Sequence, residues 1–410
     1  MNPGSPLKSI VSRTRPALLA AALAACAPAA AQAVAHAKLA GRVGFQSGQF
    51  DEPAFDAASV KEVLDKALAQ KCVAVVLEVE SGGGAVLVGL EVAKLLRERQ
   101  AGGARIVAWY GEAGSAASWI PFACADSVTK PGGLCGGSVM YSTDASGKHN
   151  PVEAKFASFP IAEVKNAARA AGRPELLVDA IFEQPREVWL TSKGTLVDRK
   201  PAGDESAKCI DSAAGVLNMD AATAIELGFA KGPAADRDAA AKAVGLAPSR
   251  WIDLSGLVSG RNSRLAAKDE STRKAVHAWF TAVDEMMAKI EDAIEATHDT
   301  AATYESEQVP DGDTKVAGSR ARKALGEHMG KVRSAAAAIK FDGAIAPEGE
   351  LDAKFRSGHG AMQQAILDRV AEIRDRLAER STKKALEAAR EAKRLFAELQ
   401  EFTKTLQRPY

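Results

Sequence analysis

Hydrophobic residues follow two different periodicities along the chain, and the change lies near residue 250. Before it, short apolar runs rich in β-branched residues, such as CVAVVLEV (72–79) and RIVAWY (105–110), alternate with helical patterns such as LVGLEVAKLLRERQ (87–100). Runs of this kind are typical of buried strands, and a regular alternation of strands with helices favours parallel pairing. The pattern predicts an α/β fold for residues 34–250.

Shorter elements complete this first part. DSVTK (126–130) and GGSVMY (136–141) predict two short strands around a glycine-rich loop, PGGLCGG (131–137). NMDAATAIELGFAKG (218–232) has an Asn/Asp start and a Gly stop, which predicts a helix with both ends marked. We expect another helix to begin at Ser115, directly after the strand RIVAWY.

From about residue 262 the strand signal disappears, and apolar residues recur at alternating spacings of four and three. This spacing predicts three long helices with a narrow heptad seam. Spacings of four between 373 and 385 mark an offset, where we expect the last helix to bend or change partner. We expect loops at 299–318 and 341–360, which are rich in Gly, Asp and Glu. The seam comprises Val276, Phe280, Val283, Met287, Ile290, Ile294, Leu325, Met329, Val332, Ala336, Ile339, Ile366, Val370, Ile373, Leu377, Ala388, Ala392, Leu395, Leu399, Phe402 and Leu406.

We therefore assign residues 251–410 to an all-α, heptad-patterned, coiled-coil-like domain. It serves either assembly and presentation of the first domain or as a spacer without a specific partner. The size and composition agree with two domains, since 410 residues with 47% hydrophobic content can bury a substantial core.

The charge balance argues against nucleic acid as a partner. Lys plus Arg number 53 against 52 for Asp plus Glu, a net charge of +1, and no basic run of the kind that binds phosphates is present. Four cysteines, Cys72, Cys124, Cys135 and Cys209, lack C-x-x-C spacing, so we expect no metal site. They are either free thiols or partly disulfide-bonded, with Cys124 and Cys135 nearest in sequence. We expect no cofactor.

The N-terminus has the pattern of an export signal. Lys8, Arg13 and Arg15 precede an apolar run, ALLAAALAACAPAAA, that is too short to span a bilayer in the mature protein. AQA at 31–33 fits cleavage after Ala33 by signal peptidase, whereas LAAC at 23–26 resembles a lipobox that would leave a lipidated Cys26. We expect a signal peptide over 1–33, or a lipoprotein signal to residue 25, and a periplasmic or cell-envelope location without a transmembrane helix.

Two segments of small residues follow buried strands and are candidates for acyl-transfer chemistry. The glycines of EVESGGGAV (78–86) would let backbone N–H groups face a bound carbonyl, and GEAGSAASW (111–119) offers serines at a helix start. A tight turn and a helix cap would explain the same residues. No G-K-[ST] or G-x-G-x-x-G spacing supports a phosphate site.

Taken in order, these segments resemble the ClpP/crotonase superfamily, and more closely the exported serine peptidases of the NfeD N-terminal-domain and SppA type. Gly83-Gly84 match the family's Gly-Gly, Ser115 its nucleophile, Trp119-Ile120 its aromatic-Ile pair and Pro131-Gly132 its Pro-Gly. The resemblance covers about 70–245. It implies a spiral of ββα units, homo-oligomers, and a serine endopeptidase that cleaves polypeptides or membrane-derived peptides.

The resemblance also implies a Ser-Lys dyad. Lys155 lies forty residues after Ser115 and seventeen before Gly172, as in the NfeD-type peptidases, and is favoured over Lys148 and Lys165. A lysine must be desolvated to act as a base near neutral pH. We expect a dry wall for it from Phe156, Phe159 and Ile161. The implied oxyanion donors are the N–H groups of Gly83 or Gly84 and of Ala116.

Several alternatives stay open. Ala117, Gly82 and Pro121 depart from the family pattern, so a catalytically inactive scaffold whose helical half mediates assembly is the main alternative function. A Ser-His-Asp triad with His149 and Asp179 is the second mechanism, and a crotonase-type acyl-CoA enzyme is a weaker rival. Ser118 is disfavoured as the nucleophile. Glu78 and Glu80 share one face of a strand, which we interpret as a solvated edge.

Overall fold

The computed structural model describes residues 32–143, 148–182, 186–212, 214–307, 311–378, 382–406 and 408–409. The lipobox at Cys26 and residues 1–31 of the predicted export signal lie outside these residues, whereas Ala33, after which cleavage is predicted, is the first residue of a strand. The strands are β1 (Ala33–Val43), β2 (Phe45–Gln46), β3 (Ala54–Phe55), β4 (Ala74–Gly84), β5 (Ile106–Gly114), β6 (Asp126–Gly136), β7 (Tyr141–Thr143), β8 (His149–Pro151), β9 (Val188–Leu190), β10 (Leu196–Val197), β11 (Lys208–Asp211), β12 (Asn218–Asp220), β13 (Arg250–Asp253) and β14 (Ile345–Ala346).

The helices fall into short ones that accompany the sheet and long ones that follow it. A 3₁₀ turn at Ser115–Ser118 directly precedes the third described helix, Trp119–Ala123. The helices are α1 (Ala57–Ala69), α2 (Val86–Ala101), α3 (Trp119–Ala123), α4 (Ala154–Ala170), α5 (Glu175–Phe182), α6 (Ala221–Glu226), α7 (Arg237–Ala243), α8 (Ser255–Glu307), α9 (Asp311–Ala338), α10 (Glu350–Leu377) and α11 (Thr382–Thr405).

The central sheet has the strand order β12-β6-β5-β4-β1-β13, and β3 pairs with β1. Its strands are parallel, except that β12 runs antiparallel to β6. The predicted fold class, an α/β region followed by an all-α region, is confirmed. The change from one to the other lies between β13 and α8.

Both faces of the sheet are covered, which explains the continuous apolar runs of its strands. On one face Leu77, Val79 and Tyr110 belong to a cluster with residues of the short helices, and on the other Val76 and Trp109 pack with residues around α7. The helix predicted in NMDAATAIELGFAKG is α6, capped by the Asp220 side chain, which accepts from Thr223 N.

Two local predictions in this region are wrong. The segment PGGLCGG is not a separate loop, because β6 continues through most of it by bulging out between the residues that pair with Tyr110 and Glu112. The chain from Ser115 first forms a 3₁₀ turn, and α3 begins only at Trp119. Pro121 therefore lies in the first turn of α3, where a missing N–H costs no helical hydrogen bond.

Four long helices are found in the described part of the helical region, where three were predicted. α10 ends at Leu377 and α11 begins at Thr382, within the predicted offset. The loop predicted at 299–318 is wrong for the described residues, because α8 continues to Glu307 and α9 begins at Asp311. The loop predicted at 341–360 is correct up to residue 349, where it contains the short strand β14, and wrong from Glu350, where α10 begins. Polar residues on the outer face of a helix do not interrupt it. Most of the predicted seam is buried in one apolar cluster.

Two further observations concern the described residues as a whole. None of their helices combines the length and the apolar character needed to cross a bilayer. The thiols of Cys72, Cys124, Cys135 and Cys209 are free, and burial raises the pKa of Cys124 to about 12. A buried thiol of this kind is unreactive at neutral pH.

Candidate active site

Ser115 lies where β5 ends and the 3₁₀ turn begins, in a backbone conformation that is unusual for serine. Its φ is 47°, and Lys71 is the other non-glycine residue with positive φ in the described chain. A left-handed conformation costs an L-residue about 1–2 kcal/mol. Strain of this kind is concentrated at functional sites, where surrounding contacts maintain it. Among the described residues, no hydrogen-bond partner of the Ser115 hydroxyl is found, and the residue is half-buried.

A buried network of hydroxyl groups holds the Ser115 backbone. Ser118 Oγ donates to the Ser115 carbonyl at 2.7 Å, and Ser138 Oγ lies 3.0 Å from the same oxygen and 2.9 Å from Ser118 Oγ. The buried indole of Trp119 donates to Ser138 Oγ at 3.0 Å. Ser118 is fully buried, and its hydroxyl is engaged in this network.

The glycine segment of β4 passes directly beside Ser115. Gly83 has a φ of 111°, and a Cβ on it would lie 2.5 Å from Ser115 Cβ and 3.1 Å from Ser115 Oγ. Only a residue without a side chain allows this approach. The Gly83 N–H donates to Ser81 Oγ at 3.2 Å, at the long end of the usual range. Ala116 is the second residue of the 3₁₀ turn, where a backbone N–H has no partner within the helix.

Ser115 and Gly82–Gly84 line an open cavity of about 1090 Å³. The walls of the cavity also include residues from 41–52, residues 137–141 and Trp119. The described lining is acidic. It contains the carboxylates Asp51, Glu52, Glu80 and Glu112 and the single cation Arg42.

A cluster of charged groups borders this cavity on the neighbouring strands. Lys130 Nζ lies 2.6 Å from both Glu78 Oε1 and Glu80 Oε1, and 4.3 Å from the centre of the Trp109 ring. His36 Nε2 lies 2.9 Å from Glu78 Oε2. The solvated edge predicted for Glu78 and Glu80 is therefore wrong, because β6 and β1 place Lys130 and His36 against them.

The pKa values in this cluster follow from the pairing. The hydrogen bond from His36, together with Lys130, lowers the pKa of Glu78 to about 2. Burial favours the neutral form of Lys130, but the hydrogen bonds to Glu78 and Glu80 outweigh it and raise the pKa of this amine. Lys130 is thus a fixed cation and cannot serve as a base at neutral pH.

Lys155 does not lie beside Ser115. It is exposed in the first turn of α4 and is not among the residues that line the cavity. The predicted dry wall is wrong in this conformation, because Phe156 and Phe159 are each 65% exposed. The residues of α4 before Pro160 are exposed or only partly buried, and the first buried residue of the helix is Pro160.

The other predicted bases and the triad partner are placed elsewhere. Lys165 forms an ion pair of 2.5 Å with Asp179 in the described structure, so neither group is free to act on Ser115. His149 begins β8, which pairs with β7. No group of His, Cys, Asp and Glu side chains in the described residues is arranged to hold a metal ion.

Ser138, Lys130 and the segment 48–52 carry no signal in the sequence that marks them as parts of the site. Ser138 follows a Gly-Gly pair and Lys130 ends an apolar strand, and neither context distinguishes it from an ordinary surface residue. Their roles follow from which strands become neighbours.

Comparisons with known proteins were made on sequence and on structure. No protein-family model matches the chain, and a search of curated proteins gave no match. Among solved structures, it is similar to a serine-to-alanine mutant of the membrane-bound stomatin-specific protease 1510-N, with 14% identity and a TM-score of 0.40 over 55% of this chain and 98% of that one. It is also similar to a lysine-to-alanine mutant of the same protease in complex with a substrate peptide, with 14% identity and a TM-score of 0.40 over 59% of this chain and 99% of that one.

A third similar structure is the 1510-N membrane protease specific for a stomatin homolog from Pyrococcus horikoshii. It has 14% identity and a TM-score of 0.34, over 56% of this chain and 98% of that one. These proteins are proteases by name. The fold of the present chain is taken from its own strand order.

Proposed function

We propose that this chain is a serine endopeptidase in which Ser115 attacks the peptide carbonyl and forms an acyl-enzyme. The observation that carries the proposal is the environment of Ser115. Its backbone has the left-handed conformation and lies directly beside the backbone of Gly83, and both residues line a cavity large enough for a peptide. A residue that only capped a helix would not need this conformation. The substrate class is polypeptide, including peptides released from membrane proteins.

The reaction follows from the groups around Ser115. Its Oγ bonds to the substrate carbonyl carbon while a base takes the hydroxyl proton, and the carbonyl oxygen becomes an oxyanion. The N–H of Ala116 and the N–H of Gly83 or Gly84 stabilise that oxyanion. Gly83 can serve once the substrate oxygen replaces Ser81 Oγ. The C–N bond then breaks as the base returns the proton to the amine, and water hydrolyses the ester.

Lys155 is our proposed base, and it requires the first turn of α4 to close over the cavity. The Val152 N–H donates to the carbonyl of Met140 at 3.3 Å, and Met140 lines the cavity. Lys155 follows Val152 by three residues, so a local rotation of this turn brings its amine toward Ser115. The same rotation would place Phe156 and Phe159 over the cavity, where they exclude water from the amine.

Labelling with a fluorophosphonate tests the nucleophile. We expect wild type to be labelled and Ser115→Ala not to be labelled, while Ser206→Ala, which removes an exposed serine outside the site, is labelled normally. Lys155→Ala should abolish peptide hydrolysis, and Lys148→Ala should not. With a lysine base, activity rises between about pH 7 and 9. Labelling of Ser115→Ala at the wild-type rate would refute the proposal, and a flat pH profile would refute the lysine base.

The exposed position of Lys155 favours one other function, that of an inactive scaffold whose helices mediate assembly. Absence of labelling in correctly folded wild-type protein would favour it. Our proposal includes export to the periplasm or cell envelope and assembly into homo-oligomers. The mass of the mature chain distinguishes a start at Val34 from a start at lipidated Cys26, and its mass in solution gives the oligomer.

A further inference from the structure

The helical region holds one wall of the cavity in place. Gly48, Gln49, Asp51 and Glu52 line the cavity and belong to the segment 44–53 between β1 and β3, which we call the wall segment. The wall segment contacts the helical region through side-chain hydrogen bonds, strand pairing and apolar packing. Resting on the peptidase function proposed above, we propose that Asp269 of α8 is a positioning residue for the substrate, acting through the wall segment.

Asp269 makes two direct hydrogen bonds to the wall segment. Ser47 Oγ donates to Asp269 Oδ1 at 2.7 Å, and the Gly48 N–H donates to Oδ2 at 3.0 Å. Asp269 is 4% exposed and Ser47 is fully buried, so water does not compete for the Ser47 bond. Hydrogen bonds to a buried carboxylate are about twice as strong as neutral ones.

Two arginines fix the Asp269 carboxylate. Arg273 and Arg356 each approach it to 4.0 Å. Arg356 also donates to Asp352 Oδ1 at 2.9 Å and to the Ile345 carbonyl at 3.0 Å. The carboxylate is therefore tied both to α8 and to the chain that leads into α10.

The backbone and apolar side chains of the wall segment are held by the same region. β14 pairs with β2, and the Ser47 N–H donates to the Ala346 carbonyl at 2.9 Å. Phe45 and Ala54 pack with Leu265 of α8 and with Ile345. Gly48 lies so close to Arg273 Nη1 and Glu348 Oε2 that a Cβ on it would be 2.6 and 2.8 Å from them. A side chain at Gly48 would have to displace the ends of the Arg273 and Glu348 side chains.

This arrangement separates two properties of the site. Ser115 and its hydroxyl network belong wholly to the α/β region, so reactivity toward a small probe does not depend on the wall segment. An extended polypeptide that fills the cavity also contacts the wall segment, so the binding of a polypeptide depends on that segment. Loss of Asp269 should raise KM for polypeptides and leave the reactivity of Ser115 unchanged.

The test uses the full-length chain with Asp269→Ala, Asp269→Asn and Ser47→Ala. Thr272→Val is the matched control, because Thr272 is buried one turn along α8 and bonds to the Lys340 carbonyl without touching the wall segment. Three quantities are measured: KM and kcat on an extended peptide, the rate of fluorophosphonate labelling, and amide hydrogen exchange in 44–53.

We expect Asp269→Ala and Ser47→Ala to raise KM about tenfold, equivalent to about 1.4 kcal/mol, with kcat and labelling within twofold of wild type. Asp269→Asn should recover part of the loss, since its amide oxygen still accepts one bond. Exchange in 44–53 should rise in the Ala variants and not in Thr272→Val. An unchanged KM and unchanged exchange in both Ala variants would overturn the proposal, as would an equal fall in labelling and in kcat/KM.

Failure of the peptidase function itself gives a different result. In that case wild type is neither labelled nor active, and hydrogen exchange in Asp269→Ala and Ser47→Ala still decides whether Asp269 holds the wall segment. Ser47→Ala removes a single hydroxyl, so it keeps the test valid if Asp269→Ala does not fold.

Discussion

Replacement of Gly83 by alanine tests the geometry of the candidate site most directly. The new Cβ would stand 2.5 Å from Ser115 Cβ, where ordinary contact begins at 3.4 Å, and 2.9 Å from the Gly114 carbonyl oxygen. Relief of the clash requires Ser115 or β4 to move by about 1 Å. A displacement of about 1 Å of a reacting group costs about 100-fold in rate.

The substitution also acts on stability. Alanine at a φ of 111° carries about 1–3 kcal/mol of backbone strain, and overpacking adds about 1–3 kcal/mol. Gly103→Ala is the matched control, because Gly103 has a φ of 91° and no atom within 4 Å of the added Cβ. It should show the strain without the clash.

The assay combines fluorophosphonate labelling with urea unfolding. We expect Gly83→Ala to be labelled about 100-fold more slowly and to lose about 2–6 kcal/mol of unfolding free energy, whereas Gly103→Ala is labelled normally and loses about 1–3 kcal/mol. Wild-type labelling of folded Gly83→Ala would show that β4 does not abut the nucleophile and would refute our account of the site.

Two further predictions concern groups around Ser115. The pKa of Glu78 is lowered from 4.5 to about 2, so its ionised form adds about 3 kcal/mol to the free energy of unfolding. This contribution is complete above pH 4.5 and is lost as the pH falls toward 2. In urea unfolding, Glu78→Gln should remove this acid dependence, and Glu91→Gln on the exposed face of α2 should not. Ser138→Ala leaves the buried Trp119 N–H without its acceptor, which costs about 1–3 kcal/mol, and should lower kcat more than it changes KM, whereas the exposed Ser142→Ala changes neither.

The sequence identified those features of the fold that depend on local pattern. The buried strands β4 and β5, the capped helix α6 and the apolar seam of the helical region all follow from the spacing of neighbouring residues. The extent of α8 and α9 does not follow from local spacing, because their polar ends carry no apolar stripe and have the composition of loops. Helix continuity there depends on packing between helices.

The candidate site divides in the same way. Ser115 and Gly83 were identified because small residues directly after a buried strand are a local signal. The pairing of Lys130 with Glu80 depends on the bulge that aligns β6 with β5, and the bond between Ser47 and Asp269 joins residues 222 positions apart. Such contacts follow from the register and docking of elements, which a single sequence does not encode locally.

The charges around the cavity narrow the choice of base. Lys130 is paired with two carboxylates that raise its pKa, and Lys165 is paired with Asp179. Both amines are therefore engaged by carboxylates and are not available to Ser115 in this arrangement. Lys155 is exposed and has no ion-pair partner among the described residues. Because Lys155 does not line the cavity, a lysine mechanism depends on closure of the first turn of α4.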